Sequence, residues 1–273
     1  MQAMSHLLIF GLGYTAARIK AALEAKGWRV DATGRAGNLA FDADFEAIRS
    51  IIGTCDAILS SVPPERVTGG DDVLLTYGGA LEAAARKGTW IGYLSSTGVY
   101  GDQAGAWVDE ATPTIAETGA GRRNARAEAD LAWLRLGARV FRLPGIYGPG
   151  RSALDRVRAG QARRIDLPGQ VFSRVHADDI ASGVIAALEQ NAPAGAYNLG
   201  DDFPCNGNEV TEHACRLLGL PLPPLETLEE ANLSEMARGF YMENRRVANG
   251  KAKRVLGWEP RFPTYVEGLE GLV

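Results

Sequence analysis

The sequence predicts an α/β protein: a Rossmann-type doubly wound parallel sheet with a small, mostly C-terminal substrate lobe. Three observations lead there. A short apolar run, His6 to Phe10, breaks into Gly11-Leu12-Gly13-Tyr14-Thr15-Ala16 and continues directly into a helix-compatible stretch. Behind it, short apolar runs alternate with amphipathic ones as far as Pro144, the order of parallel strands joined by crossover helices. Finally, 273 residues at 46% hydrophobic and 23% charged can bury one large core with a smaller companion.

The opening stretch reads as strand, Gly-x-Gly-x-x-Ala, helix, a dinucleotide-binding fingerprint. Gly11 permits the tight turn, Gly13 lets the backbone approach a pyrophosphate with no Cβ in the way, and Ala16 lets the helix pack against the strand. The helix start offers free N–H groups and a partial positive charge to phosphates. Gly11, Gly13, Tyr14, Thr15 and Ala16 are therefore candidate cofactor residues. An ordinary strand-to-helix turn is the competing reading, and the alternation that follows favours the cofactor.

The first helix is expected from Ala16 to Lys26, with Ile19, Ala22 and Leu23 inward and Gly27 ending it. A strand from Trp28 to Thr33 delivers Gly34 and Arg35 to its C-terminal end. NAD-selective enzymes usually place an acidic side chain here for the ribose 2′-hydroxyl. Gly34 has none, and Arg35 can pair bidentately with a 2′-phosphate. NADP is favoured, NAD stays open, and a solvated arginine in a turn is the alternative.

Phe41-Asp42 is expected to close a third short strand, with Asp42 near the adenine edge. A helix from Phe45 to Ile52 follows, then a buried strand from Asp56 to Val62 that brings Ser60, Ser61 and Val62 to the ligand side. A helix from Val73 to Lys87 leads to the strand Trp90 to Ser96. Another from Asn124 to Leu136, with Ala127, Leu131 and Leu134 on one face, leads to the strand Ala138 to Leu143. Leu143 and Pro144 complete the candidate cofactor set. Beyond Pro144 the prolines at 204 and 221–224 and the charged stretch from Glu226 to Glu235 suggest loops and short helices. The expected division is a dinucleotide-binding domain over residues 1–150, to which 173–200 returns, and a smaller lobe over 151–172 and 201–273.

A net charge of −4 with no basic run argues against nucleic acid. The apolar run at Leu7 is too short for a signal sequence and lacks a cleavage region, and no run approaches the length of a membrane span. Cys55, Cys205 and Cys215 are scattered, as reduced cytoplasmic thiols would be. His6, His176 and His213 do not join them at metal-ligand spacing, so no metal is expected. The expected partner is a small-molecule substrate, and a homodimer is compatible with the sequence.

Five stretches then carry a resemblance. They are Leu94-Ser95-Ser96-Thr97-Gly98-Val99-Tyr100-Gly101, Arg142-Leu143-Pro144-Gly145-Ile146-Tyr147-Gly148-Pro149-Gly150, Arg174-Val175-His176-Ala177-Asp178-Asp179-Ile180-Ala181, Tyr197-Asn198-Leu199-Gly200 and Asn249-Gly250-Lys251-Ala252-Lys253-Arg254-Val255-Leu256-Gly257-Trp258-Glu259-Pro260. In order and extent they resemble the extended short-chain dehydrogenase/reductase superfamily, the NAD(P)-dependent epimerase/dehydratase branch. The resemblance implies that Ser96, by its distance from Tyr100, is the catalytic hydroxyl that bonds a substrate carbonyl or hydroxyl beside the nicotinamide. Thr97 is the substitute, and strand-end capping is the alternative for both. Tyr100, Tyr147, Arg174, His176 and Tyr241 are candidate substrate residues. For the three tyrosines packing is an equal alternative, and His176 in the resembling motif often shapes the junction between lobes.

The superfamily's proton-transfer pair, Tyr-x-x-x-Lys, is missing. Counting back from Ala127-Glu128, the lysine position holds Asn124 and the tyrosine position holds Ala120. A positioned acid or base contributes about 10²–10⁴-fold, or roughly 3–5 kcal/mol of barrier. The chain thus resembles the atypical subgroup that lacks the tyrosine. Arg122 and Arg123 are too basic to accept protons and suit an anionic substrate or cofactor phosphates. Among Asp109, Glu110 and Glu117, a carboxylate raised by burial is the substitute base, with Glu117 the leading candidate; a solvated loop is the alternative for all five. The expectation is an oxidoreductase or epimerase-like enzyme acting on a small polar or anionic substrate with a nonstandard proton donor. The alternative is a non-catalytic NADP-binding sensor or scaffold.

Overall fold

Six short parallel strands form the centre of the protein, largely apolar because both faces are covered. The computed structural model describes residues 4–65, 69–118, 124–234 and 238–273. In chain order these hold β1 (His6–Phe10), α1 (Tyr14–Ala25), β2 (Arg29–Ala32), α2 (Phe45–Thr54), β3 (Ala57–Ser60), α3 (Asp72–Arg86) and β4 (Trp90–Ser96), which ends in a 3₁₀ turn, Thr97–Tyr100. Next come β5 (Trp107–Val108), α4 (Ile115–Thr118), α5 (Ala125–Arg135), β6 (Arg139–Leu143), β7 (Gly145–Tyr147), α6 (Ala153–Arg158), β8 (Arg164–Ile165), β9 (Arg174–His176), α7 (Ala177–Glu189) and β10 (Gly195–Asn198). The chain closes with α8 (Gly207–Leu218), β11 (Leu225–Glu226), β12 (Arg246–Val247), α9 (Gly250–Leu256) and α10 (Tyr265–Glu270).

The sheet runs β10-β6-β4-β3-β1-β2. From β1 the chain adds β2 on one side and then crosses to β3 on the other. The strand order therefore reverses at β1, and a crevice opens beyond the C-terminal ends of β1 and β3. One face buries Leu7, Ile9 and Leu59 with Ile19 and Leu23 of α1 and Ile180 and Val184 of α7. The other buries Leu8, Phe10 and Ile58 beneath α2, α3 and α5. There Trp133 stacks on Tyr93 at 5.1 Å and 9°, and its indole N–H donates to Asp71 at 2.8 Å. No helix of the described residues is long and apolar enough to cross a membrane. All three cysteines are free and buried.

One sequence expectation is corrected. The third strand does not form: only Thr33 and Leu39 bridge, and Phe41-Asp42 lies in a turn. Asn38 takes the strand's place, accepting the N–H of Ala32 at 2.9 Å, while Tyr77 donates its hydroxyl to the carbonyl of Phe41 at 2.7 Å. On α5 the buried residues are Ala127, Ala129, Asp130 and Trp133, with Leu131 and Leu134 only half-buried. A separate apolar cluster joins Tyr147, Leu154, Val157, Val210, Ala214 and Leu269. Ala252, Leu256 and Trp258 join the main core against α7, and β12 pairs with β5.

Leu59 is fully buried at the middle of the sheet. Leu59→Ala should cost about 2–5 kcal/mol, read as a lowered denaturation midpoint in urea with an unchanged slope.

Candidate cofactor and catalytic site

The crevice at the end of β1 is built around a turn held from both sides. Gly11 donates its N–H to the Thr33 hydroxyl at 3.0 Å, and Leu12 donates to the Thr33 carbonyl at 2.8 Å. From β3's end, the Ser61 hydroxyl donates to the Gly11 carbonyl. Gly11 sits at φ +83°, and a Cβ there would lie 2.9 Å from a Val62 methyl, so only glycine fits. Around Gly13 the opposite holds: no atom lies within 4 Å of where its Cβ would be. Here α1 begins with no side-chain cap and no acidic residue in its first turn. Open space in front of uncapped N–H groups at a helix N-terminus fits a diphosphate. Of the neighbouring candidates, Thr15 and Ala16 are buried against the strand, and Ser60 is fully buried with a hydroxyl that has no partner among the described residues. Tyr14 is half-buried and donates its hydroxyl to the Pro149 carbonyl at 3.1 Å, with the Arg18 guanidinium 3.9 Å from its ring centre.

Gly34 has φ +109°, and a Cβ there would stand 3.1 Å from the Leu12 nitrogen. No acidic side chain fits at that position without crowding the glycine turn. Arg35 beside it is exposed, with no partner among the described residues, and Asp42 is exposed as well. The carboxylate of β2, Asp31, is already engaged by His6 at 2.8 Å, Asn38 at 2.7 Å and Arg29 at 2.8 Å.

At the end of β4, Ser96 is half-buried and its Oγ accepts the N–H of Gly98 at 3.1 Å. Thr97 is buried. Next to them lie Leu143, buried at the end of β6, and Pro144, half-buried just beyond that strand. Tyr100 does not line the crevice. It is fully buried, donating its hydroxyl to Asn198 at 2.9 Å and accepting from Arg142 at 3.0 Å. Arg142 in turn forms a buried ion pair with Asp130 at 2.7 Å. Sequence reasoning missed Asp130 as a buried group, because apolar periodicity gives a carboxylate no weight.

The carboxylate candidates serve local structure. Glu117 accepts the N–H of Thr114 at 2.7 Å and its hydroxyl at 2.9 Å, and these bonds hold its pKa below the usual range. That is the wrong direction for a general base near neutral pH. Asp109 closes a turn onto Ala111 and Thr112. Glu110 is raised by burial, yet it accepts the N–H of Asn198 at 2.7 Å on the edge strand β10, with β6 between it and β4. Asn124 caps α5, its side chain accepting from Arg126 at 3.0 Å and Ala127 at 3.3 Å. Ala120, Arg122 and Arg123 lie outside the described residues.

The remaining substrate candidates gather where β9 and α7 meet the lobe. His176 is buried, and its Nδ1 caps α7 by accepting the N–H of Asp178 at 3.2 Å. Burial lowers its pKa, so the neutral ring is favoured. Tyr147 packs edge-on against it at 5.2 Å and points at the Thr264 carbonyl. Arg174 turns inward to the carbonyls of Phe172 at 2.8 Å and Cys205 at 3.3 Å. Tyr241 stands edge-on to Phe172 at 5.5 Å. Beside Arg174, Asp201 is 2% exposed, and one of its oxygens has no partner among the described residues.

This architecture is that of the extended short-chain dehydrogenases/reductases of the epimerase/dehydratase type. No family model matches the chain. It is similar to a protein of unknown function from Silicibacter pomeroyi, with a TM-score of 0.85 and 40% identity over 98% of both chains, and belongs to one family with it. A human epimerase family protein solved with NADPH shares the fold at a TM-score of 0.72 and 16% identity, over 97% of this chain and 98% of that one. Protein YeeZ of Escherichia coli K12 is 26% identical over 95% of this chain and 97% of its own. A 3-diazoavenalumate denitrifying reductase of Streptomyces sp. is 34% identical over 154 residues, a match that takes in 52% of this chain and 48% of that relative.

Burial pushes the Asp201 carboxyl up to about 7. The folded state thus holds a proton that the unfolded chain releases near pH 4, so stability falls as pH rises from about 4 towards 7. Asp201→Asn, which keeps the acceptor for the Phe203 N–H, should be more stable than the parent at pH 8 and no more stable at pH 4, by urea titration at each pH.

Proposed function

We propose that this chain is a nicotinamide-dependent oxidoreductase of the epimerase/dehydratase type that prefers NADP and acts on a small polar or anionic carbonyl or alcohol. The observation that carries the reading is the bare, uncapped start of α1 beside Gly34 and an Arg35 that has no partner among the described residues. The N–H groups after Gly13 bind the diphosphate, and the Arg35 guanidinium takes the 2′-phosphate. A bound nicotinamide supplies hydride exchange with a carbon of the substrate. Ser96 already accepts a hydrogen bond from Gly98, which leaves its own O–H free to donate to a substrate oxygen. Glu117, held at low pKa by its cap, is a poor proton source at neutral pH, so solvent is the donor assigned here. The reductase name of the Streptomyces relative supports hydride transfer as the chemistry.

A second reading has its own observation. Asn124 is occupied as a helix cap at the place where the resemblance puts the ammonium, and a coenzyme-binding sensor without turnover needs no such group.

Arg35→Ala should weaken NADPH binding by about tenfold or more, roughly 1.4 kcal/mol, while leaving NADH nearly unchanged; equal losses by fluorescence titration would remove the NADP assignment. Ser96→Ala should lower NADPH oxidation across a panel of carbonyl compounds by about 10²–10³-fold, the usual loss for one positioned donor, with unchanged NADPH affinity. Tight NADPH binding with no oxidation of any panel member by the parent protein would favour the sensor.

A further inference from the structure

We propose that Asp130 and Arg142 are positioning residues for Ser96: one buried ion pair fastens both ends of the turn on which that hydroxyl sits. The proposal rests on the reading of Ser96 given above. The pair is almost solvent-free, at 1% and 3% side-chain exposure. Asp130 Oδ1 accepts from Arg142 Nη2 at 2.7 Å, and its Oδ2 accepts from Arg142 Nε at 3.1 Å. Each partner then reaches one end of the turn. Asp130 Oδ2 accepts the hydroxyl of Ser95 at 2.7 Å, the residue directly before Ser96. Arg142 Nη1 donates to the Tyr100 hydroxyl at 3.0 Å, the last residue of the 3₁₀ turn.

The register places the pair where it can do this. Ser95 lies opposite Arg142 and Ser96 opposite Leu143, so alternation along β4 sends Ser95 into the pair and Ser96 to the other face. The far end is fixed as well. Tyr100 donates to Asn198 at 2.9 Å, and Asn198 donates its side-chain amide to the Ala248 carbonyl at 3.1 Å. A buried ion pair is often no more stabilising than apolar groups of the same volume. What it does supply is direction, through a planar fork whose bonds all have fixed angles. Here that direction is applied to a four-residue turn, Thr97–Tyr100, whose N-terminal cap is Ser96.

Ser95→Ala and Tyr100→Phe each delete one anchor and leave the ion pair in place. In either variant, hydrogen exchange at the Gly98 N–H, the donor to Ser96 Oγ, should quicken about tenfold or more. Exchange at Tyr93 and Val140 in the adjoining strands and NADPH affinity should stay as in the parent. Turnover of a carbonyl that the parent reduces in a Ser96-dependent way should fall in kcat, with KM little changed. The double variant D130L/R142M, which replaces the pair by apolar side chains, should keep its melting temperature and show the same fast Gly98 exchange. Unchanged Gly98 exchange in both single variants, or equal acceleration throughout β4 and β6, overturns the positioning role. Turnover indifferent to Ser96→Ala overturns the assignment of Ser96 and this role with it, whereas normal Gly98 exchange alongside Ser96-dependent turnover overturns only the role of the pair.

Discussion

The hydrogen bonds that pin Gly11 and Leu12 to Thr33 decide which polar groups face outward. They consume the donors of the turn on its inner side. The donors at the start of α1 are left with no protein acceptor from a capping side chain, a state that a helix end tolerates only beside water or a ligand. The same close approach forbids a side chain at Gly34. The neighbour of that glycine, Arg35, is exposed.

Around the second half of the crevice the polar groups are spent on shape. Three carboxylates follow the turn after β4 in the chain, and each accepts from backbone N–H: Asp109 in a turn, Glu117 at a helix start, Glu110 on the edge strand β10. Covering that edge matters in itself, because an unpaired outer strand invites association with other chains. The result is a strand end whose scaffolding is rich in acids and whose crevice holds a neutral hydroxyl.

The start of the chain was legible because its physics is local. Gly11 and Gly13 announce a turn through their lack of side chain, Ala16 a close helix through its small one, and β4 keeps its expected limits, Trp90–Ser96. What escaped the sequence is non-local. Asn38 displaces a strand by reaching back six residues to Ala32, a competition between side chain and ladder that β-propensity cannot weigh. Asp130 is legible only once Arg142 and Ser95 are known to surround it, since a carboxylate on a helix is ordinarily placed in water. Trp258 follows a charged stretch yet belongs to the main core, and only the path of α9 across α7 shows this. Tyr100 and Tyr147 suited a cleft by type and were claimed by burial instead.

Asn124 limits what its own position can hold. Its amide oxygen serves two N–H groups at the head of α5, work that a lysine side chain, having no acceptor, cannot perform. Asn124→Lys would forfeit about 1 kcal/mol of helix stability. Cap and ammonium are thus mutually exclusive at residue 124: the head of α5 keeps its side-chain acceptor only while that position is not a lysine.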